Sequence, residues 1–340
     1  MKLIRTVDAE GAVLCHDITQ IIRGVTKDAV FRKGHIVKAE DIPVLLSVGK
    51  ENLYVWEEQE GMLHENDAAA ILKEICQGEG LNASEPKEGK IDLTAAYDGI
   101  LKIRKDRLNA VNSLGEMMIA CRHQNFPVKK GDKIAGTRVI PLVIAEEKME
   151  KAKETAGEEK IFSILPFQKK KVGIVTTGSE VYSGRIKDTF TPVVIEKLKE
   201  YDAEITGHKV CNDEDKMVTD AILGLIADGA ELVLCTGGMS VDPDDRTPLA
   251  IRNTGAEIVT YGAPVLPGAM FLLAYYEGNI PVIGLPGCVM YARRTVFDLA
   301  LPRIMADEKI KKEDIDLLGE GGLCLSCDVC TFPNCGFGKV

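Results

Sequence analysis

No stretch of this chain stays apolar for the roughly 18 residues that a membrane-spanning helix requires. The start Met1-Lys2-Leu3-Ile4-Arg5 also lacks the long apolar core of a secretory signal. A cytoplasmic location without membrane association is the expectation that follows. Basic charge is in short supply: 52 acidic against 42 basic side chains give a formal charge of −10. Such a balance favours solubility and opposes a broad interface with a phosphate backbone, so nucleic acid is not an expected partner. Two nucleotide signatures are missing as well, the GxxxxGK[ST] of a Walker loop and the GxGxxG of a dinucleotide fold.

What is present is an ordinary globular mixture, 45% hydrophobic and 28% charged residues in a chain of 340, a length that suits two to three domains. The expected division is a small amino-terminal module over 1–84, a β-rich or mixed module over 85–165, an α/β domain over 166–310 and a cysteine tail over 311–340. Strand-like runs at 11–15, 52–56 and 134–144 mark the first half. A helix entry is expected at Ala39-Glu40-Asp41-Ile42-Pro43, with Gly49 as its stop. A second helix is expected from Asp67 through Ala68-Ala69-Ala70-Ile71-Leu72. His64, Glu65 and Asp67 crowd its entrance; helix capping and surface solvation account for them better than a cation site does. Residues 85–90 read as a polar linker. Over 148–160, alanines favour a helix and Gly157 a stop.

From Lys171 the pattern changes to strand, polar loop and helix, repeated. Val172-Gly173-Ile174-Val175-Thr176-Thr177 reads as a buried strand, with further strands at 204–211, 231–236 and 280–285 and helices after Pro192, over 215–227, 245–253 and 289–305. Nearly continuous apolar strands are what a mostly parallel sheet with helices on both faces demands. Three strand-end loops carry the polar chemistry. Loop one holds Thr177, Gly178, Ser179, Glu180, Gly184 and Asp188; its hydroxyls can bond a polar ligand while glycine lets the backbone approach closely. Loop two holds Thr236, Gly237, Gly238 and Ser240, then Asp242, Asp244 and Asp245, a carboxylate density suited to hydrated magnesium beside phosphate. Loop three is Pro286-Gly287-Cys288, with similar proline and glycine chemistry upstream at Pro264 to Gly268. Each loop taken singly is also an ordinary turn leading into a helix cap.

Taken together, Thr177-Gly178-Ser179-Glu180 with Gly184, Thr236-Gly237-Gly238-Met239-Ser240 and Gly284-Leu285-Pro286-Gly287 resemble the molybdopterin-binding domains shared by molybdopterin molybdenumtransferases and molybdopterin adenylyltransferases. The resemblance covers about 171–305, with a weaker likeness of 12–56 to amino-terminal parts of the molybdenumtransferases. It implies a compact α/β domain whose loops hold molybdopterin or adenylated molybdopterin. Asp245 looks like the family's acidic catalytic or Mg2+-organising position, with Asp244 as the neighbouring register and Asp242 beside them. The implied function is molybdopterin binding in molybdenum cofactor biosynthesis, extending to magnesium-dependent insertion of molybdate into the adenylated pterin. A non-catalytic carrier or redox-responsive sensor and a molybdopterin adenylyltransferase are the alternatives. A molybdenum enzyme or maturation protein is the implied partner, and a homodimer the implied assembly. The chain departs from the pattern where Asp242-Pro243-Asp244-Asp245 replaces a glycine-centred turn, at Phe190, and where Cys288-Val289 replaces asparagine-proline.

Ten cysteines are present, and Cys324, Cys327, Cys330 and Cys335 fall in one short run. Their CxxC spacings suit a shared metal centre in a reducing compartment better than disulfides. A [4Fe-4S] cluster is favoured, although the last gap is longer than in the common ferredoxin run. Zn2+, which also takes four thiolates, and metal-free redox thiols stay open.

Overall fold

A computed structural model describes residues 2–22, 26–55, 60–240, 242 and 245–339. The chain forms two compact units. The first comprises Met1–Ala95, Ile103–Arg122 and Asp132–Ser163; the second comprises Ala96–Lys102, His123–Gly131 and Ile164–Val340.

The first unit is antiparallel and β-rich. Its four-stranded sheet runs Leu81–Ala83, Lys90–Ala95, Lys133–Val139, Met117–Cys121 in spatial order. The alternating burial of Lys90–Ala95 leaves one face solvated and turns the other, with Ile91 and Leu93, to the core. The helix Glu65–Cys76 packs there through Ala68, Ala69 and Leu72. Its N-cap is His64, whose Nδ1 accepts the Asn66 N–H while Nε2 donates to the Cys15 carbonyl. Of the entrance cluster, His64 is thus the cap, and it is neutral, as its burial favours. A smaller core of Leu14, Ile18, Val37, Leu45 and Leu53 gathers the first 55 residues. The run 11–15 forms no strand; Val13 and Leu14 make isolated bridges to Ile36 and Val55. The run 134–144 divides into Lys133–Val139 and Val143–Ala145. Trp56, the last residue of the 52–56 run, lies outside the described residues. The charged segment is the helix Glu146–Ala156, ended by Gly157 at φ +76°.

The second unit is built on a six-stranded sheet: β1 (Lys171–Thr177), β2 (Glu204–Cys211), β3 (Leu232–Thr236), β4 (Glu257–Tyr261), β5 (Leu272–Tyr276) and β6 (Ile280–Leu285). The spatial order is β2-β1-β3-β6-β5-β4. The pairs β1·β2, β1·β3 and β3·β6 are parallel, and only β5 runs against its neighbours. Successive strand residues feed two cores. Val172, Ile174, Leu232, Leu234, Ile283 and Leu285 face helices α1 (Phe190–Lys199) and α4 (Val296–Met305). Val175, Val233, Cys235 and Val282 face α2 (Asp215–Ala227) and α3 (Thr247–Asn253). Burial on both faces, at about 2 kcal/mol for each large apolar side chain, is why these strands show no polar alternation. The run 289–305 is not one helix. A 3₁₀ turn, Gly287–Met290, comes first, and α4 starts only at Val296, where Thr295 and Asp298 form a capping box.

Candidate functional site

In this order β1 sends its connection outward to β2, and the chain then crosses back to β3 on the other side. The gap beyond the carboxyl ends of β1 and β3 is therefore the topological switch point, where doubly wound sheets open a crevice for ligand. Loops one and two both leave the sheet there. The Thr177 hydroxyl donates to the Thr236 carbonyl at 3.1 Å and stands 3.2 Å from the Thr247 hydroxyl. Thr247 in turn donates to the Gly237 carbonyl at 2.9 Å. Glycine is required at this crossing. Gly237 has φ +83°, and a β-carbon on it would lie 2.3 Å from the Thr177 carbonyl oxygen. Gly238, at φ +58°, would place one 2.6 Å from the Thr247 hydroxyl.

Loop one is pinned at its base, where Gly178 N–H donates to the Cys211 carbonyl and Ser179 N–H to the Asp213 carboxylate. Ser179 and Glu180 open the short helix Ser179–Tyr182, and Gly184 follows its end at φ +71°. Asp188 accepts the N–H groups of Phe190 and Thr191 at 2.9 and 3.0 Å and the Thr176 hydroxyl at 3.1 Å. Its carboxylate thus caps α1, which begins before Pro192 for that reason. Burial alone would raise the Asp188 pKa, but the bonds from Thr191, Phe190 and Thr176 outweigh it and hold the carboxyl below its ordinary value. Thr176 also meets His208 Nε2 at 2.9 Å and the Thr191 hydroxyl at 2.8 Å.

In loop two, Met239 is buried beneath the exposed Ser240, and its side chain fills the space a β-carbon on Gly284 would take. Asp242 and Asp245 close a turn: Asp245 N–H donates to the Asp242 carbonyl at 2.9 Å, and Asp242 N–H reaches the Asp245 carboxylate at 3.3 Å. Asp244 lies outside the described residues. Burial, then the nearby Asp245 charge, raises the Tyr261 pKa, so that phenol faces the acidic turn from β4. In loop three, Pro286 and Gly287 lead into the 3₁₀ turn, which Thr189 of loop one touches through Met290. The upstream segment Pro264 to Gly268 serves a different neighbour: Leu266 exchanges backbone hydrogen bonds with Gly322 and Cys324 of the tail.

The tail beyond α4 holds Cys324, Cys327, Cys330 and Cys335 as free thiols. All four line one cavity of about 610 Å³ with Arg293, Arg294 and Phe332. Among the described residues no three His, Cys, Asp or Glu side chains converge as a site for one metal ion. That holds for the tail cysteines and for Asp242 with Asp245. The residues the sequence left unmarked are Thr176, Thr191 and Thr247, all buried at strand or helix ends, and His208, which is exposed in the middle of β2. Only Thr247, at the close of loop two, carried a positional signal.

The fold and loops define a doubly wound α/β domain whose glycine- and hydroxyl-bearing loops gather at the strand ends. Residues 173–306 match the family described as the probable molybdopterin binding domain, and the second unit carries a domain of that family. Residues 3–57 match a domain of unknown function, DUF8806. Among curated relatives, a molybdopterin molybdenumtransferase of Synechococcus elongatus is 24% identical over 229 residues, which are 63% of this chain and 55% of that protein. A CinA-like protein of a Mycobacterium species is 31% identical over 90 residues, 26% of this chain and 21% of that protein. The chain therefore spans between a fifth and just over half of these relatives. Among solved structures, the molybdopterin biosynthesis enzyme MoaB of Thermus thermophilus is 25% identical with a TM-score of 0.33, covering 40% of this chain and 91% of that one. No helix among the described residues is long and apolar enough to cross a membrane.

Proposed function

We propose that the second unit binds molybdopterin or its adenylated form and acts in molybdenum cofactor biosynthesis as a carrier or redox-responsive sensor. The observation that carries this reading is the hydroxyl and glycine crossing of Thr177, Thr236, Gly237 and Thr247 at the switch point of a domain of the molybdopterin-binding family. Thr177, Gly178, Ser179, Glu180, Gly184 and Asp188 would form one wall of the site. Thr236, Gly237, Gly238 and Ser240 would form a second, and Pro286 and Gly287 a third. Neutral dipoles hold the pterin phosphate in this arrangement. Carrier function is preferred to turnover because two loop carboxylates are engaged within their own loops, Asp188 as a helix cap and Asp245 by the Asp242 N–H.

The second reading is magnesium-dependent molybdate insertion or adenylyl transfer, favoured by the acidic run of loop two. Bound Mg2+ would supply Lewis-acid polarisation of the pyrophosphate; Asp245, with Asp242 or Asp244, would hold it. Anaerobic calorimetry with molybdopterin, ATP and an oxidised nicotinamide dinucleotide tests the main reading: the pterin binds tightest, and no pterin association with or without Mg2+ defeats it. Asp245→Asn separates the two readings. Under carriage it keeps pterin affinity and there is no turnover to lose, whereas under catalysis it keeps affinity and loses a measurable wild-type rate.

A further inference from the structure

The four tail cysteines are unused by the pterin site, and their surroundings point to a ligand of their own. Residues 324–339 contain neither helix nor strand, so little backbone bonding orders them. Phe337 anchors the end of this segment in the core, but Leu325 and Val329 on the outer loop are 77% and 76% exposed, so hydrophobic burial orders little of that loop. Yet the four thiols line one cavity. Cys324 and Cys335 are half-buried against the main core of the second unit, whereas Cys327 and Cys330 are exposed on the outer loop. The wall behind that loop is held by hydrogen bonds and ion pairs. Arg293 donates to the carbonyls of Cys327 and Asp328 at 3.4 and 2.6 Å, and the Arg294 guanidinium lies 5.0 Å over the Phe332 ring. Buried Lys197 bonds both the Arg293 carbonyl, at 3.0 Å, and Asp298, at 2.7 Å, which also takes Arg294.

We propose that Cys324, Cys327, Cys330 and Cys335 ligate one [4Fe-4S] cluster in this cavity. A single zinc ion needs four sulfurs at about 2.3 Å from one point, so its ligands must crowd together. No three of these thiols converge in that way. A cubane places its irons at separate corners and accepts thiolates spread around a volume, and all four thiols line this one cavity. Arg293, bonded to the Cys327 and Asp328 carbonyls, puts a positive charge beside the anionic thiolates, whereas Arg294 is paired with Asp298 and Glu200. The ligand would staple a tail that has almost no regular structure, as metals do in small irregular elements. This inference does not depend on what the strand-end loops bind.

The test uses the full chain purified anaerobically, with iron, acid-labile sulfide and zinc measured per chain. About four irons and four sulfides are expected, with visible absorption that bleaches on dithionite reduction. The double variant Cys327→Ala/Cys330→Ala should lose most of the iron. Both residues are exposed, so circular dichroism and thermal unfolding should show the α/β unit intact. Cys121→Ser, in the first unit, should keep wild-type iron. Near-stoichiometric zinc without sulfide, two irons per chain, wild-type iron in the double variant, or no metal after anaerobic reconstitution would each overturn the proposal.

Discussion

Replacing Gly237 by alanine tests whether the two strand-end loops are held together as described. Two costs are added at once, and a matched glycine separates them. Gly255, in the turn after α3, has φ +86° against +83° for Gly237, but a β-carbon there meets nothing within 4 Å. Gly255→Ala therefore reports the backbone cost alone, about 1–2 kcal/mol for an L side chain in left-handed geometry. Gly237→Ala incurs the same cost and also brings a methyl to 2.3 Å from the Thr177 carbonyl oxygen, a contact that only a backbone shift of roughly 1 Å relieves. That shift pulls apart the Thr177–Thr236 and Thr177–Thr247 contacts at 3.1 and 3.2 Å. At about 1 kcal/mol for each hydrogen bond, Gly237→Ala should be destabilised by about 2 kcal/mol more than Gly255→Ala. Urea unfolding followed by far-ultraviolet circular dichroism measures both. Equal losses would refute the crossing. A larger loss in Gly255→Ala would show that φ, not the approach of the loops, sets the requirement.

Two further outcomes follow from the same unit. Asp188 has a pKa below its ordinary value, so its contribution is complete above the ordinary carboxylate pKa and is lost as pH falls through the lower folded value. Stability of wild type should therefore decline more steeply on the acid side than that of Asp188→Asn; parallel acid profiles would remove Asp188 from the cap. Lys197→Met removes one partner of a nearly fully buried pair with Asp298, and leaving that carboxylate with Arg294 and the Thr295 N–H should cost about 3 kcal/mol. A loss under 1 kcal/mol in chemical unfolding would mean that Arg294 alone suffices.

The second unit was the more legible half because its signals are redundant. Unbroken apolar strands such as Val172-Gly173-Ile174-Val175 are intelligible only if both faces are covered, and the helices between them supply the cover. Loop positions followed from strand ends, so Thr177, Gly237 and Pro286 could be found without coordinates. The bonding of each side chain could not. Asp188 reads equally as a ligand contact or a cap until the N–H groups of Phe190 and Thr191 are located on it. His208 sits mid-strand in a run without a motif, and its neighbours Thr176 and Thr191 come from distant positions in the chain. The first unit was harder because its strands are short and half-exposed. At 11–15, bridges to Ile36 and Val55 replace a ladder, a tertiary choice that propensity does not encode.

The segment Tyr291 to Thr295 connects loop three with the cysteine tail, the places of the two proposed ligands. It begins where the 3₁₀ turn of loop three ends, Arg293 and Arg294 reach the cysteine tail, and Lys197 with Asp298 holds it from beneath. A ligand that orders loop three and a metal that orders the tail would bias the same few residues. Linkage then requires each to change the affinity for the other by the same factor. A coupling of about 1 kcal/mol, at the low end of the usual range, corresponds to a roughly fivefold change. Molybdopterin affinity should thus be about fivefold weaker in metal-free Cys327→Ala/Cys330→Ala than in the metal-loaded chain, and Arg293→Ala should abolish that difference while leaving the loops intact. Identical affinities in the loaded and metal-free chains would show that the arginine segment is a passive support, and that the pterin site and the tail work independently.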